Sequence, residues 1–190
     1  TNWHSEWLVS PSDLHSCHDD CDTYHLLAPV LHSVGYFLSY ERYPACVQAA
    51  WKMLGVWDRP VEVLIVGAES EESIAAFLHA TEGLSLRLDV LDRCATPLNR
   101  VAAALEFGDP LTRTIQADVL HYIPDRGYDL VLADSFLKQF PVATKPIVAK
   151  WLASSLKPGG VLLIREYLGV HRRLLAGFWD QLEGCLHAAG

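Results

Sequence analysis

From residue 61 onward, short apolar runs alternate with stretches of helical period. Val61, Val63, Leu64, Ile65 and Val66 make a nearly unbroken apolar run closed by Gly67, so residues 61–67 read as a buried strand. A helix is expected over 73–80, a strand over 86–91 and a helix over 97–107. A weaker strand follows over 112–117, then a strong one over 128–133 and a helix over 143–156. Lys157-Pro158-Gly159-Gly160 reads as a turn, 161–164 as a fifth strand and 170–187 as a closing helix. Continuous Val/Ile/Leu strands separated by helices predict a doubly wound parallel sheet with both faces covered, an α/β fold. Such sheets bind ligands at the carboxyl ends of their strands, where the strand order reverses.

Residues 1–58 have a different texture and read as mostly helical. Ser10-Pro11-Ser12-Asp13 offers a helix cap, after which Leu14, Cys17, Cys21, Tyr24 and His25 recur at helical spacing, and Pro29 kinks or ends that helix. A second helix runs over 44–54 and stops at Gly55. Four of the six tryptophans, Trp3, Trp7, Trp51 and Trp57, fall here, and so aromatic a segment must pack on something. The expected organisation is a helical cover over 1–58 and an α/β core over 59–190, together one compact domain.

The chain has 190 residues and a formal net charge of −8, which disfavours a general nucleic-acid binder. Charge is uneven: residues 135–190 hold seven bases against three acids, but Lys138, Lys145, Lys150 and Lys157 have mixed spacings and read as solvated surface. No apolar run approaches the ~20 residues of a membrane span. No basic stretch followed by an apolar segment opens the chain, so no secretory signal is expected. Five scattered cysteines do not make a disulfide framework, and a reducing, cytoplasmic setting is expected.

Acids stand just after three of the strands. Asp92 ends the second, where a carboxylate can accept both hydroxyls of a ribose. Asp118 follows the third, placed to orient an adenine, and Asp134 follows the fourth, beside the substrate pocket.

In order and spacing, Val63-Leu64-Ile65-Val66-Gly67, Val90-Leu91-Asp92, Gln116-Ala117-Asp118-Val119, Tyr128-Asp129-Leu130-Val131 and Leu156-Lys157-Pro158-Gly159-Gly160 resemble the class I S-adenosylmethionine-dependent methyltransferases, whose core is Rossmann-like. The resemblance covers about 61–166. The Asp92-Arg93-Cys94 and Ser135-Phe136-Leu137 stretches, with the helical N-terminal segment, are similar to a divergent bacterial methyltransferase-like subgroup. The resemblance implies S-adenosylmethionine or S-adenosylhomocysteine as cofactor, with Asp92 and neighbouring Arg93 at the ribose and Asp118 and Val119 at the adenine. The Gly67-Ala68-Glu69 turn would take the methionine end, Glu69 pairing with its amine, and Asp134, Ser135 and Phe136 would line the acceptor pocket. The implied activity is methyl transfer to a small-molecule acceptor, with Asp134, His121 and Tyr24 (or His25) as candidate bases where the acceptor must lose a proton.

The chain departs from the family in two places. The first loop, Gly67-Ala68-Glu69-Ser70-Glu71-Glu72, keeps only its first glycine, and Ile65 stands where an acid is common. Three glutamates there disfavour a phosphate, hence a dinucleotide, but not S-adenosylmethionine. After Ile164 only one helix fits where the family adds two strands, so either the sheet is trimmed or the C-terminus is cut. A trimmed sheet would leave an edge for the N-terminal helices or a second copy to cover, as in a homodimer. The competing reading is a non-catalytic binding or scaffold protein that lost cofactor grip through the altered loop. His18, Cys21 and His25, with His15 and Cys17 nearby, could gather soft ligands on a helix, but without a Cys-x-x-Cys pair no metal is expected.

Overall fold

The computed structural model describes residues 43–55, 58–68, 71–105 and 112–166. Its elements run α1 (Tyr43–Leu54), β1 (Val61–Val66), α2 (Glu71–Ala80), β2 (Leu86–Asp92), α3 (Ala95–Leu105), β3 (Thr112–Gln116), β4 (Tyr128–Asp134), a 3-10 turn (Leu137–Gln139), α4 (Lys145–Ser154) and β5 (Leu156–Arg165). The strands form one sheet in the order β3-β2-β1-β4-β5, and every neighbouring pair is parallel. This is the expected doubly wound α/β sheet, with its switch point between β1 and β4.

The two apolar faces are set by the period-2 alternation of side chains along each strand. Val63 and Ile65 of β1, Leu88 and Val90 of β2 and Leu130 and Leu132 of β4 face α1, α2 and α3, meeting Val47, Trp51, Ile74, Phe77 and Leu98. Leu64 and Val66, Leu91, Val131 and Ala133 face the other way, toward Val148 and Leu152 of α4. Each fully buried side chain of this size contributes about 1.5–3 kcal/mol. Helix α1 ends as predicted at Gly55, whose φ of 61° lets its N–H reach back to the Trp51 carbonyl. It packs on α2 and on β5. The remainder of that segment, including His15, Cys17, His18, Cys21, Tyr24 and His25, and the expected helix over 170–187, lie outside the described residues.

Three expectations need correction. The helix over 143–156 is shorter: Pro146 sits in the first turn of α4, which ends at Ser154, and Leu156 already pairs with Tyr128 in the sheet. The Lys157-Pro158-Gly159-Gly160 stretch is not a turn between elements but a bulge inside β5. Tyr128 pairs with Leu156, yet Leu130 pairs with Val161, so the extra residues are thrown out of the ladder. Gly159 takes a φ of 81° there, and a Cβ on Gly160 would lie 3.0 Å from the carbonyl oxygens of Lys157 and Tyr128. Lys157, finally, is not plain solvated surface, because its Nζ sits 3.0 Å from Asp129 Oδ2.

Candidate functional site

The carboxyl ends of β1, β2, β3 and β4 enclose a cleft of about 540 Å³ at the switch point. That lies within the ~300–1,000 Å³ of small-molecule sites. Each wall follows from the strand that ends at it.

Strand β1 runs straight into Gly67, at φ 81°, whose N–H donates to the Leu91 carbonyl. A Cβ on Gly67 would come within 2.7 Å of the Phe136 ring, so both backbone angle and space demand glycine. Strand β2 ends at Asp92. Its Oδ2 accepts the Ala68 N–H at 2.9 Å and its Oδ1 the Cys94 N–H at 2.7 Å, tying the first two loops together. Burial pushes the Asp92 carboxyl above its ordinary pKa, and the Cys94 and Ala68 amides offset part of that rise. A carboxylate has about four acceptor sites, and those that the backbone amides do not take are left for a ligand's donors.

After β3, Asp118 folds into a turn in which its Oδ1 accepts the Leu120 N–H at 2.9 Å, and Val119 is buried beside it. After β4 the chain turns sharply through Ser135, a buried non-glycine residue at φ 52°. Strain of that kind collects at ligand sites. Asp134 is gripped by Arg165, Nε to Oδ1 at 2.7 Å and Nη2 to Oδ2. The Phe136 ring meets Phe140 edge-on, centroids 5.1 Å apart, on the same wall.

Of the residues picked from the sequence, Gly67, Asp92, Arg93, Asp118, Val119, Asp134, Ser135 and Phe136 converge on this one cleft. Ala68 does not line it; it is buried behind Asp92 and contributes its N–H. The His121 side chain is 84% exposed, with Nδ1 3.8 Å from Asp118, and does not line the cleft. Glu69 and Tyr24 lie outside the described residues. Cys94, noted in the sequence only as part of the Asp92-Arg93-Cys94 stretch, also lines the cleft, as do Gln139, Phe140 and Thr144, which were not picked out. Only Phe140 carried a signal, its spacing of four from Phe136.

Among the described residues no cluster of His, Cys, Asp or Glu could hold a metal ion, and no helix is long and apolar enough to cross a membrane.

No protein-family model matches the chain, and no curated protein matches it by sequence. Solved structures do match. DhpI, solved as a complex with SAM and HEP, is 22% identical over 90% of this chain and 73% of its own, with a TM-score of 0.56. CalS10 from Micromonospora echinaspora, a SAM-bound amino pentose methyltransferase of calicheamicin biosynthesis, is 16% identical over 76% of this chain, with a TM-score of 0.57. The sugar N-methyltransferase KedS8 from a Streptoalloteichus species is likewise 16% identical over 76%, with a TM-score of 0.58. The chain spans 58% of the length of CalS10 and 55% of KedS8, little more than half of either. This chain therefore has the fold of the class I S-adenosylmethionine-dependent methyltransferases.

Proposed function

We propose that the cleft binds S-adenosylmethionine and that the protein transfers its methyl group to a small-molecule acceptor. The observation that carries this is the convergence on one cleft of Asp92, Asp118 and the Gly67 turn from the ends of three different strands.

The residues suit the cofactor. Asp92 can offer its remaining acceptor capacity to the ribose hydroxyls, and the part-exposed Asp118 carboxylate can accept from an exocyclic amine beside the buried Val119. A side chain on Gly67 would strike the Phe136 ring, itself a wall of the cleft. Bound S-adenosylmethionine supplies an electrophilic methyl group on a sulfonium. The protein's share is to place the acceptor in line and keep water out, and methyl transfer asks little more. Leu91, Phe136 and Phe140 provide apolar wall for the second task. Asp134, held by Arg165, shapes the acceptor side rather than serving as a free base. The fold neighbours named as an amino pentose methyltransferase and a sugar N-methyltransferase support a small-molecule acceptor.

The test is calorimetric titration of the chain with S-adenosylhomocysteine. Micromolar binding is expected, abolished by Asp92→Ala and weakened by Asp118→Ala, with circular dichroism and melting confirming that both variants fold. A folded wild-type chain that takes up no S-adenosylhomocysteine would overturn the proposal.

A further inference from the structure

Arg165, the last residue of β5, and Glu166 just after it hold the turn after β4 at three places. The Arg165 guanidinium forks onto Asp134, the Arg165 carbonyl accepts the Ser135 N–H at 2.7 Å, and Glu166 Oε1 accepts the Leu137 N–H at 2.7 Å. Between these anchors the backbone passes through the left-handed conformation at Ser135. A conformation of this sort costs on the order of 1–3 kcal/mol and persists only where its surroundings over-determine it. The product of the turn is the placement of Phe136, whose Cδ2 lies 2.7 Å from the position a Gly67 Cβ would take. The same guanidinium stands 5.1 Å from the centre of the Tyr43 ring, so α1 is coupled to the clamp.

We propose that Arg165 and Glu166 are positioning residues of the cleft: they lock the turn over residues 134–137, seat the Phe136 ring on the Gly67 backbone, and thereby set the affinity for the cofactor. Neither needs to touch the ligand. Arg165 neutralises and orients a carboxylate only 8% exposed, which alone would be costly beside an apolar wall. Glu166 supplies the acceptor that fixes the following peptide. The effect on cofactor affinity rests on the function proposed above; the placement of the ring does not.

Two readouts separate the two. In the full chain without ligand, the Gly67 α-proton resonances report the ring current of Phe136, and Phe136→Leu gives their ring-free position. Arg165→Lys keeps the charge but loses the fork, and Glu166→Ala loses the acceptor. Both are expected to move the Gly67 resonances toward the ring-free position and to weaken S-adenosylhomocysteine binding roughly tenfold, the scale of one lost buried hydrogen bond. Glu166→Gln, whose amide oxygen can still accept the Leu137 N–H, should restore both. Gly67 resonances unchanged in Arg165→Lys and Glu166→Ala would overturn the positioning role. Resonances that move while affinity stays at wild type would overturn its link to the cofactor. A wild-type chain that binds no ligand would defeat the proposed function instead, and the resonances would still decide the placement.

Discussion

Gly67 is where backbone geometry, packing and the candidate ligand meet. Its φ of 81° already disfavours a side chain, and the Phe136 ring occupies the space a Cβ would need. Gly67→Ala should therefore destabilise the fold by about 1–2 kcal/mol, from left-handed strain and displacement of the ring. Because the displaced ring is a wall of the cleft, S-adenosylhomocysteine affinity should fall as well. Urea denaturation and titration on the same preparation read the two effects, and a variant of wild-type stability and affinity would contradict the geometry. The glycine was legible in the sequence because it closes an apolar run; the ring lying on it was not. Phe136 stands 69 positions away, and only the β1–β4 pairing, Val66 opposite Ala133, brings the two strand ends together.

At the scale of elements, the strands were legible because a buried parallel strand is apolar along most of its length, as in β1 and β4, which only Glu62, Asp129 and the terminal Asp134 interrupt. Strand β3, half-exposed at the sheet edge, gave the weakest pattern for the same physical reason. The bulge in β5 escaped notice because Pro-Gly-Gly reads locally as a turn, while whether a turn ends a strand or interrupts it depends on the partner's register. Gly160 tests that register. A Cβ there would press on three backbone oxygens at 3.0–3.1 Å, none of which can swing aside. Gly160→Ala should cost about 2 kcal/mol in urea denaturation. Gly127→Ala, whose Cβ would first meet the flexible Lys157 Cγ at 3.0 Å, should cost less. Equal losses would mean that the bulge is not the tight feature described. Also hidden from the sequence was the ionic cluster on β2 and β3. Fully buried Asp89 accepts from Arg113, Arg126 and the Tyr128 hydroxyl, partners 24 to 39 positions distant. A charged residue inside a strand looks like a surface residue until its neighbours are known.

Across the whole molecule, two carboxylates at opposite ends of the sheet, Asp129 buried and Asp92 partly buried, are shifted in opposite directions. At the amino end of β4, Asp129 is gripped by both Arg59 nitrogens at 2.7 Å, by the Glu62 N–H and by Lys157, which hold it well below the usual carboxylate range. A carboxyl depressed on folding stabilises the native state above its unfolded pKa of ~3.9, and that contribution is lost only as pH falls on through the lower folded value. Asp92, at the cleft, is raised by burial, so it takes up its proton at a pH above ~3.9. Once protonated it loses acceptor capacity for the ribose hydroxyls. Acidification should thus remove ligand binding before it removes the Asp129 contribution to the fold. Near neutral pH, S-adenosylhomocysteine at about a hundred times its Kd should add about 2.7 kcal/mol and raise the melting temperature accordingly. As the pH is lowered that increment should shrink and vanish while the ligand-free chain still melts cooperatively. Melting curves with and without ligand across the acid range measure both quantities together. An increment that survives until the protein itself unfolds would show that ligand binding does not depend on an ionised Asp92, and would move the cofactor's ribose contact to another residue.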